Sequence, residues 1–397
     1  MCLTVTLTLT RRARIKWHGA CFITHTRPVL APLGDRLAGS GPLAMDPDNE
    51  VDYDMSPYLI RYKSGRVHHL MGTGRVDAGT DAATGVTSRD VVIDVGTGLA
   101  ARLHIPSDVL GTSTKLPVLV YFHGGAFAVN SAFSTQYFRF LNALVSAARA
   151  VAVSVDFRLA PEHPLPAAYD DAWAALGWAV ATASCARASS EQEPWAWLAE
   201  HGDPARLFVA GDSTGGNIAH NVAMRAGRRS GLPGGERIEG MVLLHPYFCG
   251  KELVAPSEGA EPRRRRSLET EERWWAFVCA ERYGIDHPFI NPVAMPATEW
   301  VSLGCRRAMV TVAELDRMRD RGRRYVEALR ASTWAGDEAV LYEDQGERHV
   351  FFLSSSDDSG KTKQMIAAIA SFMASSNAQA LLLGPSSERS LGCDAKL

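Results

Sequence analysis

Apolar residues gather in short, nearly unbroken runs at Val118–Phe122, Val151–Val155, Leu207–Ala210, Met241–Leu244 and Met309–Ala313. Runs without alternating polar positions suit strands that are buried on both faces. Between them, Tyr137–Ala148, Ala167–Ala183 and Gly216–Arg228 have the length and composition of helices. The alternation predicts an α/β fold, a mostly parallel central sheet covered by helices on both faces. Upstream, Val91–Asp94 and Leu99–Ile105 flank Gly96-Thr97-Gly98, which predicts a hairpin. From Cys249 to Pro292 the alternation stops. Lys251–Arg266 is polar, and Trp274, Trp275, Phe277 and Val278 then form an aromatic cluster at helical spacing.

Composition narrows the function classes. Apolar residues are 46% of the 397, enough for a sizeable core, and the formal net charge of -2 gives no electrostatic argument for nucleic acid or an anionic membrane. No apolar run approaches the roughly 20 residues of a membrane span. The run Arg263-Arg264-Arg265-Arg266 lies among Glu258, Glu261, Glu269, Glu271 and Glu272, which reads as a solvated face rather than a nucleic-acid patch. The cysteines Cys2, Cys21, Cys185, Cys249, Cys279, Cys305 and Cys393 are scattered and odd in number, with no C-x-x-C pair. That argues against a disulfide framework or a zinc site and fits a reducing, cytoplasmic setting. No cofactor or metal is expected.

Residues 1–44 carry Arg11, Arg12, Arg14, Lys16, Arg27 and Arg36 against one acid, Asp35. A basic, acid-poor segment fits an organelle transit peptide. Without a sustained amphipathic pattern, we expect instead a disordered extension ahead of a domain at 45–376, followed by a flexible tail at 377–397.

The chemistry centres on Gly211-Asp212-Ser213-Thr214-Gly215, which follows the strand run Leu207–Ala210 and opens a helical segment. Strand, sharp turn and helix around G-x-S-x-G make a nucleophile elbow. The Thr214 N–H lies at a helix start, unpaired within the helix and able to face a developing oxyanion. About 90 residues earlier, Leu116–Phe122 breaks into His123-Gly124-Gly125-Ala126-Phe127. That matches an HGGG-type oxyanion loop with Ala126 at the third glycine, and Gly124 and Gly125 as the expected donors. A triad acid belongs just past a strand end, where Asp316 follows Met309–Ala313. Glu314 and Asp320 compete for that role, Glu314 as a strand-end residue and Asp320 as a surface or capping charge. The strand Ala339–Tyr342 leads to His349. Ser213, Asp316 and His349 thus stand in α/β-hydrolase order. Of the other histidines, His123 and His163 suit loop scaffolding and His220 lies within a helix, while Asp212 is expected to support the elbow.

These stretches, together with Asp156–Pro164, Asp320-Arg321-Gly322 and Gly346–His349, resemble the plant carboxylesterases of the hormone-sensitive-lipase-like branch of the α/β-hydrolases, over roughly 45–374. The resemblance implies an α/β-hydrolase fold with a helical cap, drawn from about 45–75 and 250–292. It also implies hydrolysis of small carboxylic esters through an acyl-enzyme. By the same resemblance, Trp274, Trp275 and Phe277 are expected to wall the substrate pocket. Two rival functions come with it. Gibberellin receptors resemble this family, but in them the triad histidine is replaced, whereas His349 is present here. Hydroxyisoflavanone dehydratases resemble it too and can carry threonine at the nucleophile position, where this chain has Ser213.

Overall fold

The structure is a computed structural model that describes residues 46–185, 193–228, 231–232, 235–252, 268–354 and 360–375. The segments expected as an N-terminal extension and a C-terminal tail, and the four-arginine run, lie outside them. In chain order the elements are β1 (Val51–Met55), β2 (Leu59–Tyr62), β3 (Val67–His69), β4 (Thr80–Asp81), β5 (Val86–Asp94), β6 (Leu99–Pro106) and β7 (Leu116–Phe122). Then come α1 (Thr135–Ala148), β8 (Val151–Asp156), α2 (Ala167–Ala183), α3 (Ala196–His201), β9 (Gly202–Asp212), α4 (Thr214–Arg228) and β10 (Ile238–Leu244). The last are α5 (Leu268–Val278), β11 (Cys305–Ala313), α6 (Arg319–Arg330), β12 (Glu338–Asp344) and α7 (Lys361–Ala374).

Nine strands form the main sheet in the order β12-β11-β10-β9-β7-β8-β6-β5-β4. The six from β12 to β8 run parallel. The expected hairpin, β5 and β6, extends the sheet antiparallel from β8. Alternate side chains of the apolar runs enter opposite layers, as the two-residue period of a strand requires. On β7, Val118, Val120 and Phe122 pack into the layer holding Leu176 of α2, Ile218 and Val222 of α4 and Val326 of α6. Leu119 and Tyr121 pack against Phe140 and Leu144 of α1 and Ile369 of α7 on the other face. Burial on both faces is why these strands lack polar alternation.

The parallel strands share a direction, so their carboxyl ends open on one edge, where loops of open α/β sheets form sites. β7 ends at Phe122, β9 at Asp212, β10 at Leu244, β11 at Ala313 and β12 at Asp344. Each is followed at once by a stretch that contributes to the candidate site.

The segments expected to cap the site do pack together, but not as helices alone. Residues 51–69 make a three-stranded antiparallel sheet, β1-β2-β3. Tyr53 stacks on Phe277 of α5 with ring centroids 4.6 Å apart, Tyr58 leans on Trp274, and the Tyr53 hydroxyl donates to the Arg273 carbonyl. Trp274 and Trp275 are each only 1% exposed. They are core between the small sheet and the main body, not the pocket wall expected of them.

Two buried histidines tie layers together. His104 on β6 meets the Asn142 side chain of α1 at 2.8 Å, and His220 on α4 meets the Tyr325 hydroxyl of α6 at 2.9 Å. Burial pushes their pKa values down, to about 4 for His104 and about 3 for His220. Both folded values lie below that of an unfolded histidine, so below pH 6.5 the unfolded chain binds more protons and stability falls with pH. Each imidazole therefore removes about 2 kcal/mol between pH 7 and pH 5. Urea unfolding of His104→Leu should show a shallower loss over that interval than the parent chain. An unchanged pH slope would contradict the assignment.

Candidate active site

Ser213 stands between β9 and α4 with φ at 52°, the left-handed region that a non-glycine residue occupies only when its surroundings enforce it. Its N–H donates to the Leu244 carbonyl at 2.8 Å, and its carbonyl accepts from the Tyr247 N–H at 2.8 Å. Gly215 lets the turn sit against β7, since a Cβ there would lie 2.0 Å from the Phe122 carbonyl oxygen. The glycines of the elbow are thus a requirement of close backbone approach.

Above this turn the three distant side chains of the expected triad meet. His349 Nε2 lies 3.0 Å from Ser213 Oγ, and its Nδ1 lies 2.6 Å from Asp316 Oδ2. A carboxylate can only accept, so Nδ1 carries the proton and Nε2 is left to accept from the serine hydroxyl. Asp316 is 1% exposed, and its Oδ1 accepts from the Met318 N–H at 2.8 Å. Burial pushes the Asp316 carboxyl up, but the facing His349 charge and hydrogen bond, with the Met318 N–H, outweigh it and hold the carboxyl below its ordinary value. The competing acids are engaged elsewhere. Glu314 accepts from the Gly346 N–H at 2.7 Å, and Asp320 pairs with Arg319 at 2.9 Å.

The glycine loop corrects one expectation. Gly124 N–H is directed into the protein, 2.9 Å from both Asp212 Oδ1 and the Tyr137 hydroxyl, so it is not free to meet an oxyanion. The next peptide is held the other way round. The Gly124 carbonyl lies 2.8 Å from His123 Nδ1 and 3.3 Å from the Asn130 amide nitrogen. In a trans peptide the N–H opposes the carbonyl, so Gly125 N–H points away from these partners. Gly125 has φ at 126°, and Ala126 and Phe127 follow at 55° and 63°. Among the described residues, neither Gly125 N–H nor Ala126 N–H has an acceptor. Thr214 N–H opens α4 and has no partner within the helix. Its hydroxyl approaches the Phe127 N–H at 3.4 Å, joining elbow to loop.

Asp212 supports this arrangement from below. It is 1% exposed and accepts from Tyr121 and Tyr137 hydroxyls as well as Gly124 N–H. Burial raises its pKa to about 6 despite those three donors. His123 stacks on Phe157 at 4.3 Å, and burial lowers its pKa, in keeping with scaffolding. The sequence placed Ala126 in the loop without marking its N–H as unpartnered, because a left-handed alanine leaves no mark in the chain, and it did not single out Tyr137 or His245, whose partners lie far away in sequence.

His245, Asp316 and His349 have donor atoms within 4.8 Å of one another, a spacing a metal ion could use. Hydrogen bonds account for it: Asp316 Oδ2 is held by His349, and His245 Nδ1 accepts from the Val350 N–H at 2.9 Å.

Comparison with known proteins agrees with the fold. A family profile described as the alpha/beta hydrolase fold matches residues 119–353. The chain belongs to the α/β-hydrolase family. Tuliposide A-converting enzyme 2, chloroplastic, of Tulipa gesneriana is 42% identical over 342 residues, 85% of this chain and 81% of the relative. The 2-hydroxyisoflavanone dehydratase of Glycyrrhiza echinata is 41% identical, covering 82% of this chain and 96% of its own. Among solved structures, EstE1, a thermophilic and thermostable carboxylesterase from a metagenomic library, aligns with a TM-score of 0.57 at 27% identity, over 75% of this chain and 90% of that one.

In this α/β-hydrolase the elbow glycines make a separable prediction. Gly215→Ala should over-pack the turn, lowering stability by about 1–3 kcal/mol and reducing ester turnover. Gly177→Ala, within α2 where a Cβ meets nothing within 4 Å, should be neutral or stabilising by about 0.5–1 kcal/mol. Thermal unfolding of both variants checks this, and equal behaviour would count against it.

Proposed function

We propose that this carboxylic ester hydrolase is a serine carboxylesterase acting on small esters through Ser213, His349 and Asp316. The observation that carries the reading is the pair of contacts made by His349, one from each ring nitrogen. A serine hydroxyl is a weak nucleophile near neutral pH and needs a neighbouring base. His349 accepts the Ser213 proton as Oγ attacks the ester carbonyl, and Asp316 holds the ring in the required tautomer and stabilises its cation. Gly125, Ala126 and Thr214 N–H groups receive the developing oxyanion; a donor of this kind is worth about 3–4 kcal/mol. His349 then gives the proton to the leaving alkoxide. An acyl-enzyme remains, which water attacks with His349 again as base.

The dehydratase relative keeps a second reading in view, elimination of water at the same site. Product analysis separates the two: hydrolysis consumes one water per bond cleaved, while elimination releases one. The alternative of a gibberellin-type receptor has no such support here, because His349 is present and in contact with Ser213.

Ser213→Ala and His349→Ala should each lower kcat/KM for p-nitrophenyl esters by about 10⁴-fold or more, and the double variant should be little worse, as members of one unit are not additive. Retained turnover in Ser213→Ala would remove the proposal. For location, the plastid naming of the tulip relative supports the organelle reading of residues 1–44 over a cytoplasmic one. A fluorescent protein carrying residues 1–44 at its N-terminus should enter plastids in leaf cells; diffuse cytoplasmic signal would return the choice to the cytoplasm.

A further inference from the structure

The segment Leu244–Tyr247 touches two of the loops that carry the proposed triad and the strand that leads to the third. Its ends bracket the nucleophile: Leu244 accepts from Ser213 N–H, and Tyr247 donates to Ser213 carbonyl. Between them, the His245 N–H donates to the Thr311 carbonyl on β11, the strand that leads to Asp316. The His245 ring then reaches the third loop, where Nδ1 accepts from the Val350 N–H at 2.9 Å.

Two strained residues face each other across that last bond. His245 and Val350 both have φ at 47°. For a β-branched residue such as valine this is an outlier, and it persists only where neighbouring contacts over-determine it. Val350 directly follows His349, so its backbone direction sets where the catalytic imidazole lands. The His245 side chain is fully buried, with its ring against Phe351 and Phe352.

We propose that His245 is a positioning residue for the hydrolytic reaction, fixing the backbone after His349 so that Nε2 is held within reach of Ser213 Oγ. The inference rests on the triad reading given above. Because the Val350 N–H occupies Nδ1, the ring carries its proton on Nε2. Burial pushes its pKa down to about 3, so it stays neutral. Its 3.8 Å separation from Asp316 Oδ2 is then no ion pair. His245 touches no reacting atom and offers no second base; it acts through Val350.

The test compares three variants in the full chain. His245→Leu keeps bulk but removes the acceptor, whereas His245→Asn can place an amide oxygen near the Nδ1 position. His245→Leu should lower kcat by about 10²-fold, the scale expected for misplacing a catalytic group by an ångström, with KM little changed. His245→Asn should recover most of that loss. Circular dichroism and thermal unfolding establish that both variants fold. If folded His245→Leu matches the parent chain, or if both variants lose kcat equally, the positioning role is overturned. Ser213→Ala run alongside separates the two claims, since turnover surviving there defeats the triad itself rather than the role of His245.

Discussion

The site depends on one backbone constraint, the left-handed turn at Ser213. The residue could relax into ordinary conformations were it not clamped at both its N–H and its carbonyl by Leu244 and Tyr247. The clamp works because β10 lies beside β9 in register, with Leu244 opposite Asp212. Strand order in the sheet thus fixes the direction in which one hydroxyl points. A site on strand ends surrounded by packed helices is held more firmly than one on free loops, which suits chemistry needing near-attack geometry.

A second layer of buried polar groups supports the first. Asp212, with the phenols of Tyr121 and Tyr137, holds Gly124 inward, and by doing so orients the next peptide outward. Of the two loop glycines expected as donors, Gly124 has its N–H taken up inside the protein and Gly125 has no acceptor among the described residues. Glu271 of α5 is buried against the Tyr247 hydroxyl and the Arg317 guanidinium. The α5 helix is therefore keyed to Tyr247, which clamps the elbow, and to Arg317, which follows Asp316. Removing Arg317 would leave the buried Glu271 carboxylate without its cation, which is costly.

Much of this was legible in the chain. Strands buried on both faces announce themselves as unbroken apolar runs, and the elbow announces itself because close backbone approach tolerates only glycine at Gly215. Asp316 and His349 could be singled out because chain order and strand ends restrict where a hydrolase acid and base can stand. The small β1-β2-β3 sheet was not legible, since its strands are three to five residues long and owe their order to packing on α5. Trp274 and Trp275 could not be assigned to core or pocket from spacing alone. Peptide orientation at Gly124 and the reach of His245 to Val350 are tertiary facts, set by contacts across tens of residues.

Mass spectrometry of the enzyme quenched during turnover of a p-nitrophenyl ester reads out whether Ser213 carries the proposed covalent acyl group. An acyl mass increment is expected on the peptide containing Ser213, lost in Ser213→Ala and accumulating when deacylation is slowed. Full ester turnover with an adduct on another residue, or with no adduct under conditions that trap one, would contradict it.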